Sequence, residues 1–130
     1  MGFYTDPYAK FGNLAGEMHR AARLVVDTGI HAFGWTRERA IAYLEDNAAL
    51  TKEFAIAEVD RYIVIPGQAT SYKIGELKIK ALRARARAEL GDKFDLRRFH
   101  NAVIDDGAVP LDVLDQQITD WIAAERARTR

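Results

Sequence analysis

Apolar residues recur every three or four positions over most of the chain, which is the spacing of amphipathic helices. Helix-starting and helix-ending residues separate about six such segments, so we predict an all-α fold, an irregular bundle of about six helices. The first helix begins at Asp6-Pro7, runs to about Thr28 and ends at Gly29 in a left-handed cap. Its apolar stripe contains Phe11, Leu14, Met18, Ala22 and Val25. The connection after it contains His31, Phe33 and Trp35.

Four later helices have recognisable first residues. Thr36 and Thr51 can cap a second and a third helix, which a short joint makes into an αα-hairpin. Asp95 can cap a short fifth helix, and Pro110 opens the last one. The residues expected to face inward from the second and last helices are Ala40, Ile41, Tyr43, Leu44, Leu111, Leu114, Ile118, Trp121 and Ile122. The apolar residues of the third and fifth helices are Phe54, Ile56, Val59, Tyr62, Ile63, Leu96, Phe99, Val103 and Ile104.

A Pro66-Gly67 break separates the third helix from the fourth. Proline removes a backbone donor and glycine allows a turn, so the third helix should end near Val64. The run YIVI has strand propensity, but it continues the helical pattern before it and is interpreted as helix. The fourth helix should run from about Gln68 to Leu90, where Gly91 ends it. Its apolar and small residues lie on two sides, which predicts burial between neighbours over the first half.

The polar residues beside this break indicate a cleft. Gln68, Tyr72, Gly75 and Ile79 share one face of the fourth helix, and Arg61, Tyr62 and Lys73 flank the break. A tyrosine hydroxyl can donate to a developing oxyanion, and an arginine can bind a carboxylate with two hydrogen bonds. The alternative is two core tyrosines with satisfied hydroxyls beside a solvated arginine and lysine.

His19, Arg23 and Asp27 are spaced four residues apart on one row of the first helix. Asp27 lies near the predicted C-terminal end, where the helix dipole disfavours a negative charge, and Arg23 is within reach. One interpretation is a salt-bridged row. The other is an ionic clamp that holds His31 and its loop at the edge of a cleft.

Composition excludes several classes of site. The 130 residues are 48% apolar and 29% charged with no net charge, which suits one soluble helical domain over 1–130 and argues against a nucleic-acid or anionic-membrane binder. Lys78, Lys80, Arg83, Arg85 and Arg87 form a basic run that favours a solvated face. No cysteine and no HExxH pair is present, and His19 and Glu17 point to different sides of a helix, so no metal ligand is expected. No apolar run is long enough to span a membrane, and the N-terminus lacks the apolar core of a signal peptide.

Three segments carry a resemblance to a known family, and they span Tyr4 to about Trp121. They are YTDPYAKFGNLAGEMHRAARLVVDTGIHAFGWTRERAIAYL, DRYIVIPGQATSYKIGELKI and LGDKFDLRRFHNAVIDDGAVPLDVL. They resemble the C-terminal part of the bacterial domain-of-unknown-function family 885, above all in the motifs RLVVDTGIHAFGW and YIVIPGQATSYKIG.

The resemblance implies a fragment of a larger protein. Full-length members are several times longer and are similar to gluzincin zinc metallopeptidases, with a zinc motif of the form HExxPGH and a further glutamate upstream of this segment. The chain lacks these ligands, so the resemblance implies the C-terminal portion of a gluzincin-like fold, inactive alone. It implies zinc in the full-length parent but no cofactor in this chain. The implied partners are the N-terminal zinc-bearing portion of the parent and a peptide substrate.

The resemblance also implies roles for individual residues. Arg61-Tyr62 is similar to an Arg-Tyr pair that angiotensin-converting-type enzymes place opposite the zinc, so Tyr62 is the first candidate for the oxyanion donor and Tyr72 the second. Candidates for binding substrate are Arg61, Gln68, Lys73 and His31, supported by Arg23 and Asp27.

Two further hypotheses remain. The first is a stand-alone helical interaction module that assembles into an oligomer, and the second, resting on the basic run, is a nucleic-acid binder. A cleft wall without the rest of its protein should expose Tyr62, Ile65 and Tyr72, which predicts self-association as a two-fold dimer through the fourth helix or the adjoining loop.

Overall fold

The structure is a computed structural model that describes residues 2–128, and these residues form helices without a strand. The helices are α1 (Pro7–Phe33), α2 (Arg37–Asn47), α3 (Lys52–Val64), α4 (Gln68–Leu90), α5 (Leu96–Ile104) and α6 (Leu111–Ala127). One turn of 3-10 helix, Gly91–Lys93, follows α4. The predicted all-α helical bundle is therefore confirmed.

Side-chain caps begin four of the helices at the predicted positions. Asp6 accepts the Ala9 N–H at 2.8 Å, and Asp95 accepts two N–H groups at the start of α5. Thr36 and Thr51 begin α2 and α3 in the same way. Each cap satisfies N–H groups that the first turn of a helix leaves without a partner. Pro110 precedes α6, as predicted.

The predicted end of the first helix is wrong. α1 continues through Gly29 to Phe33 and ends at Gly34, whose φ of 63° is left-handed. Gly29 is required for packing instead, because a Cβ there would lie 2.5 Å from Cδ2 of the Trp35 indole. His31 and Phe33, expected in a connection, therefore lie in the last turn of α1.

The Pro66-Gly67 break has the predicted geometry. α3 ends at Val64, Gly67 has a φ of 78°, and α4 begins at Gln68. The YIVI run is helical up to Val64, as predicted.

The chain divides into two compact units, each with its own core. Unit 1 is Met1–Ile74, in which α1, α2 and α3 pack together. Its buried residues are Ala22, Val26, Ala40, Ile41, Leu44, Ala48, Ala55, Val59, Tyr62 and Ala69. Unit 2 is Gly75–Arg130, in which α5 and α6 are in contact. Its buried residues are Leu82, Ala86, Leu90, Phe99, Leu114, Ile118 and Ile122. One helical domain over 1–130 stays a prediction.

Several apolar residues expected inside are exposed. In α1 the exposed residues of the predicted stripe are Phe11, Leu14, Met18 and Val25, and the buried residues of this helix all lie between Ala22 and Gly29. The first half of α4 is not enclosed by neighbours either, so the predicted burial there is wrong. The exposed residues of this half of α4 are Tyr72, Ile74, Leu77 and Ile79. Phe54, Ile63 and Ile104, apolar residues of the third and fifth helices, are exposed as well. Among the described residues, no helix is long and apolar enough to cross a membrane.

Candidate functional site

Glu58 is the centre of a polar network in unit 1. Its carboxylate accepts hydrogen bonds from Arg23 Nη2 at 2.9 Å, from Arg61 Nε and Nη2 at 3.2 and 3.1 Å, and from the Tyr62 hydroxyl at 2.6 Å. His19 Nε2 lies 3.3 Å from the same carboxylate. Glu58, Arg61 and Tyr62 are three and four residues apart on α3, which places them on one face. His19 and Arg23 occupy successive turns of α1.

The network holds its carboxylate ionised. Burial alone would raise the pKa of Glu58, but the hydrogen bonds from Arg61, Tyr62 and Arg23 lower it to about 2. Burial, and next the Arg23 charge, lowers the pKa of His19, which therefore stays neutral at neutral pH. Two arginines and one carboxylate leave one positive charge in the network.

Tyr62 is fully buried, so the expected exposure of this residue is wrong. Its hydroxyl donates to Glu58 and accepts from Arg23 Nε at 3.1 Å, and His19 Nε2 lies 3.2 Å away. Burial and the hydrogen bond to Glu58 raise the pKa of Tyr62 to about 12. The first candidate for the oxyanion donor thus has its single proton committed to Glu58, as in the core-tyrosine alternative.

A line of hydrogen bonds leads from Glu58 to the surface. Arg61 Nη1 donates to Gln68 Oε1 at 2.5 Å, and Gln68 Nε2 donates to the Tyr72 hydroxyl at 3.1 Å. The Arg23 guanidinium carbon lies 5.2 Å from the centroid of the Tyr72 ring. Tyr72 is 49% exposed. Five predicted site residues therefore form one connected group, namely Arg23, Arg61, Tyr62, Gln68 and Tyr72.

Asp27 and His31 attach α1 to the segment around the break. The Asp27 carboxylate is buried, and both its oxygens lie 3.1 Å from the Gly67 nitrogen, whose N–H they accept. A negative charge is favoured there, because α4 begins at the next residue. His31 Nε2 lies 3.0 Å from the Tyr62 carbonyl oxygen. The predicted salt bridge between Arg23 and Asp27 is wrong, because Arg23 binds Glu58.

Lys73 belongs to an ion pair beside this network. Its Nζ lies 2.9 Å from the Glu17 carboxylate, and its side chain is 15% exposed. Glu17 also lies 3.6 Å from Arg20. Lys73 therefore contacts α1 through an ion pair, whereas Tyr62 and the break contact α1 through hydrogen bonds.

Sequence reasoning missed Glu58, the residue that joins the network. A carboxylate three residues before Arg61 and four before Tyr62 was the available signal, because this spacing places all three on one helix face. The hydrogen bond from Arg23 to the same carboxylate could not be predicted from local spacing, because α1 and α3 are far apart in sequence.

The chain does not fit the zinc that the resemblance implies. Within residues 2–128, no three His, Asp or Glu side chains are grouped so that they could hold a metal ion. His19 and Glu58 are the nearest such pair in the network, and Arg23 and Arg61 occupy the remaining contacts of this carboxylate.

Comparisons with other proteins extend over almost the whole chain. The profile of a family described as "Bacterial protein of unknown function (DUF885)" matches residues 1–118. The crystal structure of the "putative lipoprotein from Colwellia psychrerythraea" is similar over 95% of this chain, with 48% identity and a TM-score of 0.92. The chain spans only 21% of that protein's length. No curated protein matches the sequence. The chain belongs to the DUF885 family of bacterial proteins.

Proposed function

We propose that this chain is the C-terminal substrate-cleft segment of a zinc-metallopeptidase-like protein and is inactive by itself. The observation that carries the proposal is the hydrogen-bonded line from Glu58, whose side chain is 12% exposed, to the hydroxyl of the half-exposed Tyr72. A line of this kind holds a surface donor in one position, which is what stabilisation of a transition-state oxyanion needs. The similarity to about a fifth of a much longer protein supports the fragment part of the proposal.

Tyr72 replaces Tyr62 as the favoured oxyanion donor. The hydroxyl of the buried Tyr62 donates its hydrogen bond to Glu58. The Tyr72 hydroxyl, in contrast, is at the surface and accepts a hydrogen bond from Gln68. Tyr62 and Arg61 then position the donor, and Gln68 is the second group in reach of a substrate.

Other predicted residues support the surface around Tyr72. Asp27 fixes the start of α4, and Arg23 lies over the Tyr72 ring. His31 holds the end of α3 through the Tyr62 carbonyl. Lys73, paired with Glu17, contributes positive charge beside the donor. The peptide substrate, the zinc and its ligands belong to the full-length protein, and no step of hydrolysis is assigned to this chain alone.

The test uses a full-length family member that carries the HExxPGH motif and this segment. Tyr72→Phe should lower kcat for peptide hydrolysis about 100-fold with little change in KM, because the donor acts on the transition state. Tyr8→Phe is the matched control, since Tyr8 is 86% exposed on the first turn of α1. Full activity of the Tyr72→Phe enzyme, or no zinc-dependent hydrolysis by the unchanged protein, contradicts the proposal.

The isolated chain gives a second test of the same proposal. It should hydrolyse no peptide and should retain no stoichiometric zinc at micromolar concentration, because residues 2–128 offer no group of ligands. Dialysis followed by elemental analysis measures the zinc. One tightly held zinc per chain contradicts this.

A helical interaction module is the second candidate function. Ile65, Tyr72 and Ile74 are exposed beside the break, and exposed apolar groups favour a partner. A two-fold dimer burying about 800 Å² per chain should then form. Light scattering at about 100 µM measures it, and Ile65→Ser with Ile74→Ser should give a monomer. A monomer before substitution contradicts this candidate.

Binding to nucleic acid or to a membrane is not expected. The zero net charge argues against both, and two cations of the basic run in α4, Lys78 and Arg85, bind Asp115. A gel-shift titration at physiological salt should therefore show at most weak association. Submicromolar, sequence-dependent binding contradicts both candidate functions.

A further inference from the structure

The hydrogen bonds that end at Tyr72 have a fixed direction. Arginine has donors and no acceptor, so Gln68 has to present its Oε1 to Arg61. The Gln68 amide is thereby oriented with its Nε2 toward Tyr72, and this nitrogen can only donate. The Tyr72 oxygen is therefore the acceptor in its contact with Gln68.

The proton of the Tyr72 hydroxyl is left for a group outside the chain. Among residues 2–128, no acceptor contacts this hydroxyl, and the residue is half exposed. The positive charge left over by Arg23 and Arg61 lies behind it, and Arg23 is against its ring. A donor with positive charge behind it suits an oxygen that carries negative charge.

We propose that Glu58 is a positioning residue that, through Arg61 and Gln68, directs the Tyr72 hydroxyl outward as a hydrogen-bond donor to a carboxylate or other oxyanion oxygen. Glu58 binds two nitrogens of Arg61 and so leaves Nη1 for Gln68. The inference deepens the proposed function and rests on it only for the identity of the ligand as a peptide.

Gln68→Glu separates the direction of the hydrogen bonds from their mere presence. A glutamate at this position still accepts from Arg61, so the fold is retained. It has no donor, however, and Tyr72 would then donate inward to the new carboxylate. A purely structural role of Gln68 predicts no change at the Tyr72 hydroxyl.

The measurement is the NMR signal of carbon-labelled tyrosine at Cζ, which bears the hydroxyl and responds to its hydrogen bonding. Tyr72→Phe identifies the Tyr72 signal. Acetate is the probe, and chloride at the same ionic strength is its control. In the unchanged chain, acetate should shift the Tyr72 signal saturably, while the signal of Tyr8 should stay in place.

The variants should then divide into two groups. Gln68→Glu should shift the Tyr72 signal without acetate and abolish the response to acetate, and Glu58→Gln should weaken acetate binding at least about tenfold. Asp60→Asn is the matched control, because Asp60 also lies on α3 and pairs with an arginine, Arg37 of α2, outside the network. It should bind acetate like the unchanged chain.

Two results overturn the inference. One is an unchanged chain whose Tyr72 signal does not respond to acetate, and the other is a response in Glu58→Gln and Gln68→Glu that equals the response of the unchanged chain. Failure of the proposed function is distinguishable, because a full-length protein without peptidase activity leaves the acetate response of this chain intact.

Discussion

Glu58 in unit 1 and Asp115 in unit 2 each bind two basic side chains, and the two clusters differ in their surroundings. In unit 1, the Glu58 side chain is 12% exposed and binds Arg23, Arg61 and the buried Tyr62 hydroxyl. In unit 2, the Asp115 side chain is 32% exposed and binds Lys78 and Arg85.

The difference lies in what removal of the carboxylate leaves behind. Without Glu58, two arginines and a tyrosine hydroxyl remain largely shielded from water without their shared acceptor, which is costly. Without Asp115, water can still reach Lys78 and Arg85, whose side chains are 32% and 35% exposed, and ion pairs this open to solvent contribute less to stability. Removal of the carboxylate should therefore lower the free energy of unfolding by unequal amounts in the two units, although the ion-pair patterns are similar.

The largest expected effect is that of Glu58→Ala. Its removal should lower the free energy of unfolding of unit 1 by about 3–5 kcal/mol, as for other buried pairs that lose one partner. Urea unfolding followed by tryptophan fluorescence measures it, because Trp35 lies in unit 1 and Trp121 in unit 2. A Trp121→Phe background reports on unit 1 alone.

Asp115→Ala is the counterpart in unit 2. Followed by Trp121 in a Trp35→Phe background, it should have a much smaller effect than Glu58→Ala. Equal losses of unfolding free energy in the two units would contradict the proposed difference between the two clusters.

Glycine substitutions extend the comparison to packing. Gly29→Ala in unit 1 should cost about 1–3 kcal/mol, because its Cβ would overlap the Trp35 indole. Gly75→Ala in unit 2 meets no atom within 4 Å and lies inside a helix, so it should stabilise by up to about 1 kcal/mol. Thermal unfolding checks both signs, and a stabilising Gly29→Ala would show that the indole moves freely.

Removal of two helix caps should have a smaller effect on the free energy of unfolding. Asp27→Ala should cost about 1–2 kcal/mol, because the carboxylate from α1 is the partner of the Gly67 N–H before α4. Asp27→Asn should keep most of the stability, since its amide oxygen still accepts. Asp95→Ala in unit 2 removes a cap from its own helix, so it should fray α5 without detaching another element. Hydrogen exchange of the first turns of α4 and α5 distinguishes these outcomes.

Mild acid should have the smallest effect. The folded-state pKa of Glu58 is about 2, below the unfolded value near 4.5, so its stabilising contribution is present above the unfolded pKa. That contribution is lost progressively as the pH falls from 4.5 toward 2. Between about pH 5 and about pH 4, unit 1 should therefore lose a little stability, and Glu58→Gln should remove this dependence. Urea titrations at each pH measure it, and an unchanged slope in the variant contradicts the assignment.

Helix boundaries were predictable wherever a cap acts on its own helix. Asp6, Thr36, Thr51 and Asp95 bind N–H groups two or three residues away, so the sequence contains both partners of each bond. Gly29 was misread because its role depends on Trp35, which meets it only after the chain has turned at Gly34.

The sequence by itself determined the six helices, the break at Pro66-Gly67 and most of the polar residues around it. Their signals are local, since caps, proline and apolar spacing act within a few residues. Only the tertiary structure decided that Glu58 joins α1 to α3 and that Tyr62 is buried. A periodic pattern shows which face of a helix is apolar, but whether another helix covers that face depends on how distant segments pack.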